Sequence, residues 1–130
     1  MLRSIFIFLF ISLITTSCNR KNQGPSIRFL KTEFDLGTIV RSEGGIQTFD
    51  VYFDNVGSDT LVIESIKKDC ESCTECIIED SIIPPGKPGV ISVTFDAREF
   101  FPQDMTKSII VKTNDPKNQE AQISFCAKIR

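Results

Sequence analysis

The sequence predicts an all-β fold, an antiparallel sandwich of about seven strands, and three observations carry that expectation. Apolar residues recur with a period of two. Phe49, Val51 and Phe53 alternate with Asp50, Tyr52 and Asp54, and Ile123, Phe125, Ala127 and Ile129 alternate with Gln122, Ser124, Cys126 and Lys128. Such alternation gives a strand one buried face and one wet face. From Ile27 onward no segment sustains a 3.6-residue apolar period. Turn residues punctuate the chain at short intervals: Ser42-Glu43-Gly44-Gly45, Asn55 to Asp59, Pro84 to Gly89 and Asn114-Asp115-Pro116.

Residues 1–17 are expected to form a leader. Arg3 is the only charge before an apolar run from Ile5 to Ile14, interrupted by Ser12. A bilayer core needs roughly 20 apolar residues, so this run has the length of a signal-peptide core instead. Thr15, Thr16 and Ser17 then lead into Cys18. The arrangement resembles a bacterial lipobox, which implies that Cys18 is lipidated and becomes the new N-terminus. It departs from the usual pattern in having Thr15, not leucine, three places before the cysteine. A plain secreted protein and a retained anchor are the other readings of the leader. Residues 18–26 follow as the lipidated cysteine and a polar, flexible tether with Gly24 and Pro25 together.

The domain proper is expected over residues 27–130. Ile27 and Phe29, then Phe34 and Leu36, begin the sheets. Gly44 and Gly45 permit a turn at positive φ. Phe49 to Phe53 is a strand, and Leu61, Ile63 and Ile66 mark the next. Pro84, Pro85 and Pro88 remove three ladder donors, which excludes that stretch from a central strand. Ile91, Val93 and Phe95 share one face of a further strand. A loop from Asp96 to Asp104 holds Phe100 and Phe101. Ile109 and Val111 mark another strand, and Ile123 to Ile129 the last.

Removing residues 1–17 from 130 leaves 113, one domain by length, and takes Arg3 with it, so the formal net charge moves from −2 to −3. A mildly acidic chain of mixed charge has no footprint for nucleic acid and no strong basic pull toward anionic lipid. Attachment to a membrane is therefore expected through the lipid on Cys18. The sequence has no histidine, which excludes Ser-His-Asp and Cys-His nucleophile pairs and every histidine-containing zinc site. Eleven Phe against one Tyr point to aromatics that fill a core.

The segments FDLGTI (Phe34–Ile39), FDVYFDNVGSDTLVI (Phe49–Ile63), IPPGKPGVISVTFDA (Ile83–Ala97) and VKTNDPKNQEAQISFCAKI (Val111–Ile129) occur in an order that resembles the bacterial domain family of unknown function DUF1573. The resemblance covers Ile27 to Arg130. It implies an immunoglobulin-like sandwich, similar to major sperm protein and cilium-associated domains, and a lipoprotein setting, which agrees with Cys18. It implies no established activity.

Between the second and third of these segments lies DCESCTECIIED, Asp69 to Asp80, with Cys70, Cys73 and Cys76 three residues apart. Relatives in the family usually carry a tight Cys-Gly-Cys there, so no role transfers residue by residue. Cys126 is the only other cysteine after Cys18. An oxidising envelope makes all four disulfide candidates, in three complete pairings. A bond from the triplet to Cys126 would close a loop of about fifty residues, worth roughly 4 kcal/mol. Four thiolates can also hold zinc, but zinc ribbons use two separated pairs, so neither metal nor cofactor is expected. Thiol exchange is the rival function. A reactive Cys-x-x-Cys usually opens a helix, and Asp69, Glu71 and Glu75 oppose the help of Lys67 and Lys68. Glu71, Glu75, Glu79 and Asp80 lack the spacing of a calcium loop and read as a solvated acidic stretch.

Phe100 and Phe101 cannot both turn inward easily. One exposed would anchor a partner, and one buried would plug the end of the sandwich. The sequence is thus read as a non-enzyme: a lipid-anchored envelope protein whose domain binds or spaces other envelope components, with an unknown protein or glycan as partner. The alternative is a small periplasmic thiol-disulfide protein using Cys70, Cys73 and Cys76. Arg20 and Lys21, rather than an acidic run after Cys18, favour the periplasmic side, and Asn19 favours the outer membrane.

Overall fold

The computed structural model describes residues 24–130. The leader 1–17 and Cys18 lie outside the described residues. Two sheets face each other. The first has four strands in the order β1 (Ile27–Phe29), β3 (Ile46–Asn55), β7 (Pro88–Asp96), β5 (Thr74–Ile78). The second has five, β2 (Glu33–Ile39), β9 (Glu120–Ile129), β8 (Gln103–Thr113), β4 (Leu61–Lys68), β6 (Ile82–Ile83). The all-β sandwich expected from the alternation is the fold. A short 3-10 turn, Arg41–Glu43, precedes Gly44 and Gly45, whose φ values of 108° and 66° are the positive angles the glycine pair anticipates.

The alternating residues meet between the sheets. Val51, Phe53, Ile91, Val93, Phe95, Ile109, Val111 and Ile123 are fully buried. Each such side chain contributes roughly 1.5–3 kcal/mol by leaving water. Five phenylalanines form a chain of ring contacts across both sheets: Phe34 to Phe49 at 4.7 Å, Phe49 to Phe125 at 5.3 Å, Phe125 to Phe95 at 5.4 Å and Phe95 to Phe100 at 5.8 Å. Tilted and edge-on rings at these separations are the favoured geometry.

Four differences from the sequence expectation have physical reasons. One pair, β2 with β9, is parallel. Leu30 to Thr32 carries the chain from one sheet to the other without reversing it, so β2 continues the direction of β1 and lies beside β9. The stretch after the cysteines is not a loop: Thr74, Cys76 and Ile78 turn inward as β5, paired to β7. Its acidic neighbours obscure that alternation. Pro88 does enter a strand, as the first residue of β7, where a missing amide is tolerated. Last, β8 begins at Gln103, inside the expected Asp96–Asp104 loop, because Met105 and Lys107 keep the inward parity of Ile109 and Val111.

Candidate functional site: the cysteine loop and the two ends of the sandwich

The strand ends divide the molecule into two poles. At one pole the chain enters. Gly24 donates to Ser58 Oγ at 2.9 Å, Ser26 to Asn55 Oδ1 at 3.3 Å and Ile27 to Asp115 Oδ2 at 2.9 Å. In return, the amides of Val56 and Ser58 donate to the carbonyls of Ser26 and Gly24 at 2.8 and 2.9 Å. Gly24 to Ser26, read as tether from sequence, are therefore fastened to the domain. Asn55 and Asp115 are fully buried and serve this junction. Burial pushes the Asp115 carboxyl up, but the amides of Ile27 and Lys117 and the side chain of Asn118 outweigh it and hold the group below the usual carboxylate range.

At the opposite pole lie the 3-10 turn, the cysteine loop and residues 97–102. Cys70 and Cys73 form a disulfide with Cα atoms 5.4 Å apart. The loop is tied to both sheets. Asp96 N donates to Cys73 O at 2.8 Å, and Asp69 Oδ2 accepts from the amide and hydroxyl of Ser108 at 2.8 and 2.7 Å. Cys73 is buried and Cys70 packs against the core. Lys68 pairs with Glu71 at 2.9 Å, so the charge best placed to activate a thiolate is already engaged.

Cys76 and Cys126 carry free thiols. Cys76 is half-buried on the inner face of the first sheet. Burial pushes its thiol up to about 11, against the pull of Lys68 and with the push of Glu71 and Glu75. It is protonated at neutral pH and a poor nucleophile. Cys126 is exposed on the outer face of the second sheet, between Asp35 of β2 and Thr106 of β8. The candidate bond from the triplet to Cys126 is not made: Cys76 faces the core from the first sheet, Cys126 faces away from the core on the second, and the second sheet lies between them. The disulfide also occupies two of the four thiolates that a zinc site would need. Among the described residues no group of three Cys, Asp or Glu is placed to hold a metal ion.

Phe100 and Phe101 divide the two roles that the sequence left open. Phe100 stacks on Phe95 and closes the core, with Lys107 Nζ 6.0 Å from its ring centre. Phe101 is 82% exposed. Beside it, Arg98 grips Asp96 at 2.6 Å and holds that carboxyl below its usual range. An open depression of about 480 Å³ runs from Arg98 past Thr94 and Glu75 to Cys73 and Lys68. This pole can offer a partner one aromatic ring, hydroxyls and paired charges.

Sequence reasoning missed the buried pair Asn55 and Asp115, read only as turn residues. It also missed an apolar row on the outer face of the first sheet, the exposed Leu30 and Tyr52 with the half-buried Val90. Tyr52 sits on the wet face of the Phe49–Phe53 alternation, a signal present in the sequence.

The profile of a family described as "Protein of unknown function (DUF1573)" matches residues 27–129. No curated protein matches the sequence. Among solved structures, a protein of unknown function from Porphyromonas gingivalis W83 is similar with a TM-score of 0.71 at 19% identity, over 88% of this chain and 51% of that one. This chain thus spans about half the length of that protein. The ASH / PapD-like domain 7 of human CEP192 is similar at 0.58 and 12%, over 80% and 84% of the two chains. The YadV chaperone is similar at 0.54 and 14%, over 79% and 51%. At these identities the likenesses establish the fold, an immunoglobulin-like, PapD-like sandwich.

Proposed function

The chain belongs to the DUF1573 family of proteins of unknown function, and from that membership we propose that it is a lipid-anchored, non-catalytic module of a bacterial envelope. Acylated at Cys18, it sits on the periplasmic face of the outer membrane. Its free pole binds or spaces other envelope components, a protein or a glycan. The observation that carries this reading is the polarity of the domain. The chain is fastened at Gly24–Ile27 on one pole, and Phe101 stands bare on the other. A chaperone of the same fold accords with a binding role. The test has two arms. Cys18→Ala releases the protein from the membrane fraction or leaves it unprocessed; a variant anchored and processed as before refutes the anchor. Phe101→Ala loses its pull-down partners without losing stability; retention of every partner refutes the aromatic contact.

The rival reading, a thiol-disulfide protein, rests on the Cys70–Cys73 bond. The protonated thiol of Cys76 counts against it. Cys73→Ser separates the two readings: it changes stability alone in a binding module and abolishes insulin reduction in a redox protein.

A further inference from the structure

The outer face of the first sheet is not uniform. Toward the cysteine pole it is a polar ladder, with Thr48 Oγ1 3.0 Å from Thr94 Oγ1 and Ser92 Oγ donating to Asp50 Oδ1 at 2.7 Å. Toward the pole where the chain enters, one row is apolar, from Leu30 just past β1 through Tyr52 of β3 to the half-buried Val90 of β7. Leu30 N donates to Tyr52 O at 3.0 Å, and Tyr52 pairs with Val90. Leu30 is 66% exposed and Tyr52 52%. Ile77, also exposed, stands diagonally beyond Val90 on β5. Isolated apolar residues on a surface, such as Ile46 at the far end of this face, need no explanation, but a contiguous row among mostly polar neighbours does.

We propose that this row docks on the lipid headgroup region of the membrane that carries the anchor, laying the first sheet flat against the bilayer. The inference rests on the lipid-anchored reading above. Its physical basis is reach and chemistry. Six peptide steps separate Cys18 from Gly24, a span of at most about 21 Å. Gly24 is fixed to the domain three residues before β1, the edge strand that leads into Leu30. Leu30 lies six residues beyond Gly24, at most about 21 Å further on, so the face carrying Leu30 and Tyr52 is held within about two tether lengths of the acyl chain. A tether of that length raises the effective concentration of lipid so far that a small apolar contact suffices. Tyrosine, with an apolar ring and a polar tip, suits the headgroup level. The carboxylates nearby are already engaged. Asp54 pairs with Arg28 at 3.0 Å, and Asp50 accepts from Ser92 and, at 3.3 Å, from the Tyr52 hydroxyl. Arg20 and Lys21 add positive charge beside the anchor toward anionic headgroups.

Tyr52 is the only tyrosine in a chain without tryptophan, so its emission reports this spot alone. The processed, lipidated protein is placed on phosphatidylethanolamine–phosphatidylglycerol vesicles, with and without nitroxide-labelled acyl chains near the headgroup. The expected result is about a twofold loss of Tyr52 emission on the labelled vesicles, as for a ring held at the interface. Leu30→Ser, an exposed change, reverses that loss while the protein still floats with the vesicles. Equal emission on labelled and plain vesicles, with the protein afloat, overturns the docking and leaves the anchor standing. Emission shielded from acrylamide on plain vesicles yet unquenched by the label also overturns it, in favour of a protein on this face. A chain that does not float at all overturns the anchored reading, and the docking with it.

Discussion

The amide of Ile27 donates to Asp115 Oδ2 at 2.9 Å, joining the first strand to the turn before the last across 88 residues. Asp115 also accepts from Lys117 N at 2.8 Å and Asn118 Nδ2 at 3.3 Å, and it is fully buried. A carboxylate held by several donors is stabilised in its charged form. Its folded pKa lies below the unfolded value of about 3.9, so its contribution is complete at neutral pH and is lost as pH falls through the folded pKa. Asp115→Asn is expected to cost about 2 kcal/mol at pH 7 and progressively less toward pH 3. Urea midpoints of both proteins across that range check it; a constant difference contradicts the linkage.

Asn55 does comparable work with a neutral amide. Its Nδ2 donates to Asp59 O at 2.8 Å and Ile83 O at 2.9 Å, and its Oδ1 accepts from Gly57 N at 3.0 Å. Asn55→Ala leaves these buried groups unpaired and is expected to destabilise by about 3 kcal/mol. Unlike the Asp115 effect, it is flat with pH. Chemical denaturation at two pH values separates the two.

The Cys70–Cys73 bond closes a very short loop. In the chain-entropy picture such a bond contributes on the order of 2 kcal/mol. Cys73→Ser is expected to lower stability by about that much, as Cys73 is also buried. Calorimetry of the variant measures it, and a loss of enzymatic disulfide reduction alongside would contradict the structural role.

Cys76 and Cys126 differ in access. Cys126 is exposed, while the Cys76 thiol is half-buried and pushed up to about 11. Alkylation of the native protein at pH 8 without reductant is expected to add one group promptly, at Cys126, and a second only on unfolding. Peptide mapping identifies the site. Prompt modification of Cys76 would bring the redox reading forward.

Much of the fold was legible because period-two alternation survives on most of the long strands; β4 breaks it with a register shift between Ile63 and Ser65. Phe49 to Phe53, Ile91 to Phe95 and Ile123 to Ile129 bury the residues that their parity indicates. What escaped was set by tertiary context. Thr74 to Ile78 is a strand because β7 offers it an edge, a fact absent from its own acidic sequence. The parallel β2–β9 pair follows from a crossover that no local signal marks. The cysteine partners also depended on which sheet each strand joins, so spacing alone left three pairings open. Phe100 and Phe101 show the same limit: adjacency implied opposite directions, but only the position of Phe95 decides which ring is buried.

The central claim, a module fastened at one pole and binding with the other, is tested most directly by photo-cross-linking in intact cells. A benzophenone amino acid replaces Phe101 in one strain and Gln122, an exposed residue away from that pole, in another. The account predicts a discrete adduct from position 101 that is absent from position 122 and is lost with Cys18→Ala, which removes the protein from its membrane. No adduct at position 101, or the same adducts from both positions, would contradict it.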